Sequence, residues 1–454
     1  MSPAKKSLTD MTTGAIHPLI LKFALPLIAG NLLQQLYNTV DCIIVGNYVG
    51  KEALAAIGST GSLINSVLGF FVGLAAGGTV VISQFFGAHD TENVRRTIHT
   101  LMAGSFIAGT IATLLGRFFA PGILRLMNTP ADVFGMANQY LQIFFSGSLF
   151  FMVYNVGAGV LRALGDSTRP LYFLVISSVL NVILDFVFVV GFNQGIAGAA
   201  YATVLSQIVA MLLILFVMLH TRELFQLKVR ELRIHSDMLK RVLKLGLPGG
   251  FQMAITAFSN VFVQGYINRF GAACMAGWSC FNKIDQISLM PIQSISLSAT
   301  TFVGQNYGAH DFVRVKKGSG TSMHLAFIWV AVLMLVFELF PAQIIGMFNR
   351  DENVLYYGTF FLRVGAPFYV FRALNQVYGG VLRGLGNALA PTVVMLSSFV
   401  VFRQIYLFVT THITASFIPV SLAYPVGWCL CGILMTLVHA VYSRKVFGKN
   451  DGRD

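Results

Sequence analysis

Apolar runs of about twenty residues, the length that crosses a bilayer as a helix, follow one another along almost the whole chain, with short polar segments between them. Twelve runs lie near 18–45, 53–83, 97–120, 134–158, 170–192, 196–219, 241–267, 273–303, 319–340, 355–379, 391–410 and 417–442. In hydrocarbon every backbone N–H and C=O needs an internal partner, so each run predicts a transmembrane α-helix. The remaining polar stretches are an N-terminal segment 1–17, a linker 221–240 and a tail 443–454.

The second six runs repeat the first. Gly87-Ala88-His89-Asp90 returns 221 residues later as Gly308-Ala309-His310-Asp311, and Val160-Leu161-Arg162-Ala163-Leu164-Gly165 as Val381-Leu382-Arg383-Gly384-Leu385-Gly386. Leu21-Lys22 and Pro26 match Leu243-Lys244 and Pro248. Six spans per half is an even number, so both halves insert with the same orientation. The expected fold is an all-α membrane protein of twelve helices, with lobes 18–220 and 241–442 related by a pseudo-twofold axis. Transporters built from parallel repeats hold their substrates at the repeat interface.

Composition agrees with lipid as the main solvent. The 454 residues are 56% hydrophobic and only 11% charged, against about 25% charged in soluble domains. A net charge of +13 suggests nucleic acid until the basic residues are located. With both termini inside, 22 of them (Lys5, Lys6, Lys449 and Arg453 included) fall in inside segments and 5 in outside loops. That asymmetry obeys the positive-inside rule. It predicts a multi-pass protein of a bacterial inner membrane with cytoplasmic termini, with the lipid bilayer as partner and no nucleic acid. The N-terminal stretch lacks a cleavable signal pattern, so the first run is expected to be retained. The five cysteines lie in apolar stretches without zinc or CxxC spacing and read as free thiols. No HExxH, GxSxG or P-loop pattern occurs, so neither an enzyme nor a cofactor is expected.

Several spaced motifs resemble the multidrug and toxic compound extrusion (MATE) family over roughly residues 15–445. They are Pro26, the Gln34-Gln35 and Asn38 run leading to Asp41, and Gly46 and Gly50. To these add Gln84-Phe85-Phe86-Gly87-Ala88, its repeat Gln305-Asn306-Tyr307-Gly308-Ala309, and the turn Gly159 to Asp166. The resemblance implies efflux of organic compounds coupled to proton or sodium entry, by alternating access. The competing reading within the superfamily is a flippase for lipid-linked saccharides, whose representatives commonly have fourteen spans or weaker cytoplasmic signatures. A channel is the reading from another class, but no selectivity-filter sequence recurs.

An ionisable group inside a span is a functional hypothesis by default, and four acids fall there: Asp41, Asp185, Asp285 and Glu338. Glu338 is near a span end beside Pro341 and reads as interfacial. Helical rise puts Asp41, Asp185 and Thr203 at one depth, about 8–10 Å below the outer end of the hydrocarbon, with Asn181 one turn from Asp185. Oxygen donors of this kind suit a hard cation, and two nearby carboxylates in low dielectric repel unless a proton or cation joins them. The set matches the family's first-lobe cation site, with H+ or Na+ as coupling ion and no other metal. The alternative is that these groups only hydrogen-bond helices together. The repeat maps Asp41 to Val263, Asp185 to Tyr406, Asn181 to Phe402 and Thr203 to Tyr424, so the second half lacks the set, as in the DinF-type branch.

That second half instead carries Lys283, Asp285, Arg363, Arg372 and Arg403 within spans. Asp285 is expected either to pair with an arginine of spans ten or eleven or to face the cleft. Four basic groups against one acid open the cleft to anionic or zwitterionic compounds. With Gln34, Tyr37, Asn38, Tyr154 and Asn155 these residues are the substrate-cleft candidates. Aromatic and Met side chains such as Phe70, Phe150, Met253, Phe258, Met290 and Tyr378 either line an adaptable pocket or simply pack. Pro26 shares a span with Asp41, about 22 Å away along the axis, and the family implies a bend there tied to Asp41 occupancy; a fixed kink is the plainer reading.

Overall fold

The computed structural model describes residues 8–127, 129–414 and 416–448; Lys5, Lys6, Lys449 and Arg453 lie outside the described residues. The chain is helical almost throughout. The first half runs α1 (Ile16–Tyr48), α2 (Lys51–Gly87), α3 (Thr91–Leu126), α4 (Ala131–Ser146), α5 (Ser148–Ala163), α6 (Thr168–Asp185) and α7 (Gly195–His220). The second half runs α8 (Ser236–Asn268), α9 (Ala272–Gly308), α10 (Phe312–Leu339), α11 (Pro341–Gly346), α12 (Glu352–Gly365), α13 (Tyr369–Gly384), α14 (Leu389–Leu396), α15 (Arg403–Ile413), α16 (Phe417–Ser421) and α17 (Ala423–Phe447). Two π-helical stretches interrupt the spans: Phe186–Gly191 continues α6, and Ser397–Phe402 joins α14 to α15.

Taking α4–α5, α12–α13 and α14–α15 as single interrupted spans gives twelve. Among the described residues ten helical stretches are long and apolar enough to cross a membrane, and α4–α5, bent by 47°, makes eleven. The twelfth is α8. It is 33 residues long, but Gln252, Thr256, Asn260 and Gln264 at i, i+4, i+8 and i+12 put a polar stripe on it that lowers its hydropathy. The repeat equates α8 with α1.

The repeat is also visible in the backbone. His89 and His310 have φ of 55° and 58°, Gly165 and Gly386 both 85°, and Gly50 and Gly271 118° and 87°. Asp90 caps α3 by accepting from Asn93 N–H, and Asp311 caps α10 by accepting from Arg314 N–H. In the first half the Thr79 hydroxyl donates to the Gly159 carbonyl; in the second the Thr300 hydroxyl donates to that of Gly380. One sequence motif thus sets the same turns and cross-helix bonds twice.

The helices gather into two compact units, and compactness groups residues differently from chain order. Among the described residues one unit holds 8–10 and Leu25–Gly250; the other holds Met11–Ala24 and 251–448. The change of unit falls next to Pro26 in α1 and next to Pro248 in α8. In the first unit the start of α8 packs on α2 so closely that a Cβ on Gly246 would meet the Leu74 carbonyl oxygen at 2.5 Å. In the second unit Met11 is fully buried and strapped down. Its N–H donates to Gln305 Oε1, and its carbonyl accepts from Asn306 Nδ2 and Arg314 Nη2. The Gln305-Asn306 signature therefore serves as a clamp for the segment before α1.

The basic linker is docked too. It spans 221–235, since α8 starts at Ser236. Phe225 and Leu227 are buried in the first unit's core. Lys228 N–H donates to His99 Nε2 (3.1 Å), Arg95 pairs with Glu231, and Arg96 pairs with Asp237 (3.0 Å).

Candidate cation and substrate site

In the first unit, α1, α2, α4, α5 and α7 enclose a cavity of about 210 Å³. Gln34, Tyr37, Asn38 and Asp41 enter from α1, Asn65 from α2, Tyr140 from α4, and Thr203 and Gln207 from α7. The bend at Gly147 brings Ser148 into the wall. Ile57, Ile64, Leu68 and Phe144 supply the apolar side, continuous with the core around Ile44, Val45 and Leu141.

Asp185 and Asn181, on α6, do not line this cavity; they are 0% and 1% exposed, with Asp41 at 7%. The two carboxylates are near enough for their charges to interact, and Tyr37 and Tyr140 feel both. Along the axis, Asp41 precedes the end of its helix at Tyr48 by about 10 Å, and Asp185 precedes Gly191 by about 9 Å.

Buried polar atoms are normally hydrogen-bonded, yet here many are not. Asp41 Oδ1, both oxygens of Asp185, both side-chain polar atoms of Asn181, Gln207 Oε1, Ser148 Oγ and Ser178 Oγ have no protein partner. Thr203 spends its hydroxyl proton on the Ala199 carbonyl (3.1 Å), leaving its oxygen free to accept or coordinate. A set of helix-fastening bonds would pair these atoms with one another. Instead Asp41, Ser148 and Gln207 bring unpaired oxygens to one cavity, which fits a proton or a hard monovalent cation. Among the described residues no group of three or more His, Cys, Asp or Glu side chains is placed to hold a metal ion.

Residue spacing did not single out Gln207, Tyr140, Asn65, Ser148 or Ser178. Gln207 follows Thr203 by one turn and Ser178 precedes Asn181 by three residues, spacings that share a helix face. Of the other cleft candidates in this half, Tyr154 donates its hydroxyl to the Pro170 carbonyl (3.1 Å) and Asn155 bonds the Phe151 carbonyl of its own helix (2.8 Å). Neither lines the cavity.

In the second unit Asp285 accepts from the Tyr369 hydroxyl (2.5 Å) and forms an ion pair with Arg372. The Arg372 guanidinium lies 4.5 Å from the centre of the Trp428 ring. Arg403 stands apart from that pair: it donates to Ser259 Oγ (3.0 Å) and Asn260 Oδ1 (2.8 Å), with its guanidinium 4.6 Å over the Tyr424 ring. Lys283 and Arg363 are exposed. Two residues apart on α9, Lys283 and Asp285 point to opposite environments.

The MatE family model matches the chain twice, over residues 26–187 and 248–409. Probable multidrug resistance protein YoeA of Bacillus subtilis (strain 168) is 29% identical over 91% of each chain. Probable multidrug resistance protein YpnP of the same organism is 33% identical over 87% of this chain and 88% of its own. Among solved structures, one of MATE in the bent conformation superposes with a TM-score of 0.92, at 22% identity, over 98% of this chain and 99% of the other.

Proposed function

The chain belongs to the multidrug and toxic compound extrusion family, whose model covers both halves, and from that premise we propose that it exports organic compounds in exchange for protons or sodium ions. The observation that carries the exchange reading is that Asp41 and Asp185 are buried in their spans with carboxylate oxygens that have no protein partner. Two carboxylates in a poorly solvated site repel; a proton or Na+ bound between them removes the repulsion. Asn181, Thr203 and the amide of Gln207 supply neutral oxygens for the remaining contacts.

Discharge at this site drives transport only if the ion binds the outward-facing and inward-facing arrangements unequally, and a 1:99 to 99:1 shift needs a difference of about 10⁴-fold in affinity. Helix α1 is the element suited to transmit it. It carries Asp41 in the first unit, while its residues up to Ala24 belong to the second. Pro26, with no N–H to complete the helix ladder, sits at that change. In this reading occupancy at Asp41 biases the bend at Pro26. In the same reading the protein lies in the bacterial inner membrane as a monomer, with both termini and the docked linker in the cytoplasm, an orientation that the basic-residue asymmetry supports.

Purified protein in vesicles, given a sodium gradient and a proton gradient in turn, tests the proposal. Gradient-driven movement of tetraphenylphosphonium or an aromatic anion supports it. Movement of lipid-linked saccharide with no gradient dependence would replace it with the flippase reading.

A further inference from the structure

The fifth span of each unit carries a charge beside a π-helical stretch, but of opposite sign. In the first unit Asp185 precedes Phe186–Gly191; in the second Arg403 follows Ser397–Phe402. Arg403 is 3% exposed. Its Nη2 has two neutral acceptors, its Nε has no partner, and among the described residues it forms no ion pair. Asp285 does not neutralise it, because that carboxylate is taken by Arg372 and Tyr369.

A buried guanidinium without a counter-charge is strongly unfavourable in a span, and a chain that retains one has a use for it. The surroundings hold the group ready. Ser259 donates to the Phe399 carbonyl and accepts from Arg403 and from Gln404 Nε2 (2.9 Å), while Tyr424 donates to Asn260 Oδ1 (3.3 Å) and stacks under the guanidinium. Asn260 is exposed and Tyr424 partly so, which leaves the cluster approachable. More positive charge sits at the same level. Lys283 and Arg363 follow the ends of their helices at Ala272 and Glu352 by about 16 Å, and Arg403 precedes the end at Ile413 by about 15 Å. Exposed charges at that depth are stable only facing water, not lipid tails.

We propose that Arg403, framed by Ser259, Asn260, Gln404 and Tyr424, is an anion subsite that takes the carboxylate or sulfonate group of an aromatic organic substrate. The planar guanidinium suits such groups, since its remaining N–H donors match two oxygens at once. Tyr424, partly exposed, offers aromatic surface for the rest of the molecule, and the buried Trp278 backs it with its ring 5.1 Å away. This deepens the exporter reading by giving the substrate a charge class, and it rests on that reading.

The test is equilibrium binding of tritiated 1-naphthoate and of tritiated tetraphenylphosphonium to the purified full chain, with no gradient present. Asn260→Asp is the sharpest variant, because it places a carboxylate where Oδ1 already lies 2.8 Å from Nη2. It is expected to raise or maintain the unfolding temperature, to weaken naphthoate binding at least tenfold, and to leave tetraphenylphosphonium within twofold. Arg403→Gln should weaken naphthoate equally, and Arg403→Lys less. Competition by phosphatidylglycerol separates the sources of the anion. Displacement of naphthoate by the lipid at stoichiometric amounts would assign the subsite to a headgroup and overturn the substrate reading. Wild-type naphthoate affinity in Asn260→Asp or Arg403→Gln, or equal loss of both probes, would overturn it as well. Export of tetraphenylphosphonium without naphthoate binding leaves the exporter standing and removes the subsite; naphthoate binding through Arg403 without any gradient-driven transport does the reverse.

Discussion

Removing Asp285 should unfold the second unit at lower temperature, and removing its partner as well should restore most of the loss. Asp285 and Arg372 are each only 12% exposed at the side chain, so solvent screens their pair little. In Asp285→Ala the Arg372 guanidinium is left buried against Trp428 with no counter-charge, and the Tyr369 hydroxyl loses its acceptor. Breaking one side of a buried pair costs about 3–5 kcal/mol, whereas replacing both sides with apolar groups is often neutral or better. At about 2 °C per kcal/mol for a large chain, Asp285→Ala should lower the unfolding midpoint by roughly 6–10 °C. Asp285→Ala combined with Arg372→Met, which keeps a long apolar side chain under Trp428, should return to within about 2 °C of the parent. Thermal unfolding in detergent followed by tryptophan fluorescence measures this. Because the pair is internal to one unit, the double variant should also keep gradient-driven export. An Asp285→Ala midpoint within 2 °C of the parent, or a double variant as unstable as the sum of the singles, would show that the pair does not hold the unit and that Asp285 faces something else.

Gly165→Ala should destabilise by at least about 1–2 kcal/mol, because φ is +85° there and a Cβ would lie 2.0 Å from the Thr9 carbonyl oxygen; a variant as stable as the parent on thermal unfolding contradicts the turn geometry. The docked linker should loosen in acid. Burial, then Arg233 and Arg96, hold the His235 pKa below its ordinary value, and its Nε2 accepts from Arg233 Nε, so the docked state binds fewer protons than the free one. The contribution is therefore full above about pH 6.5 and lost as pH falls. Hydrogen exchange over 224–236, corrected for intrinsic rate, should be faster at pH 5.5 than at pH 7.5; equal or slower exchange refutes it. Cysteines placed in exposed positions of 224–236 should react with impermeant reagent only from the cytoplasmic side, and those at 46–52 only from outside; the opposite pattern overturns the orientation.

Much of the architecture was legible because spans and turns are written in short-range chemistry. Asp90 and Asp311 as caps, and Gly165 and Gly386 at positive φ, repeat at a fixed offset, and that register identifies α8 as a span despite its polar stripe. Asp41, Asn181 and Asp185 were legible because buried acids and amides in apolar runs are rare, and helical rise alone sets their depth. The cavity wall was not. Ser148 and Tyr140 enter it through the bend at Gly147, a tertiary feature with no periodic signature. The choice of Arg372 over Arg363 or Arg403 as partner of Asp285 depends on side-chain reach between α9 and α13. The linker read as a polar stretch, yet Phe225 and Leu227 are buried in the core with Leu224 and Leu232 packed beside them, and apolar side chains scattered among charges show no clear helical period.

The central claim is that Asp41 and Asp185 together bind the coupling ion, and Asp41→Asn tests it most directly. The amide keeps the volume and removes the charge in a place where the native Oδ1 has no protein partner to lose, so folding and yield should persist. Export from vesicles of equal protein content, driven in turn by sodium and by proton gradients, should fall to the rate without a gradient. Changes at the repeat-related positions Val263 and Tyr406 should leave coupling largely intact. An Asp41→Asn protein that still exports at the parental rate under either gradient would contradict the account.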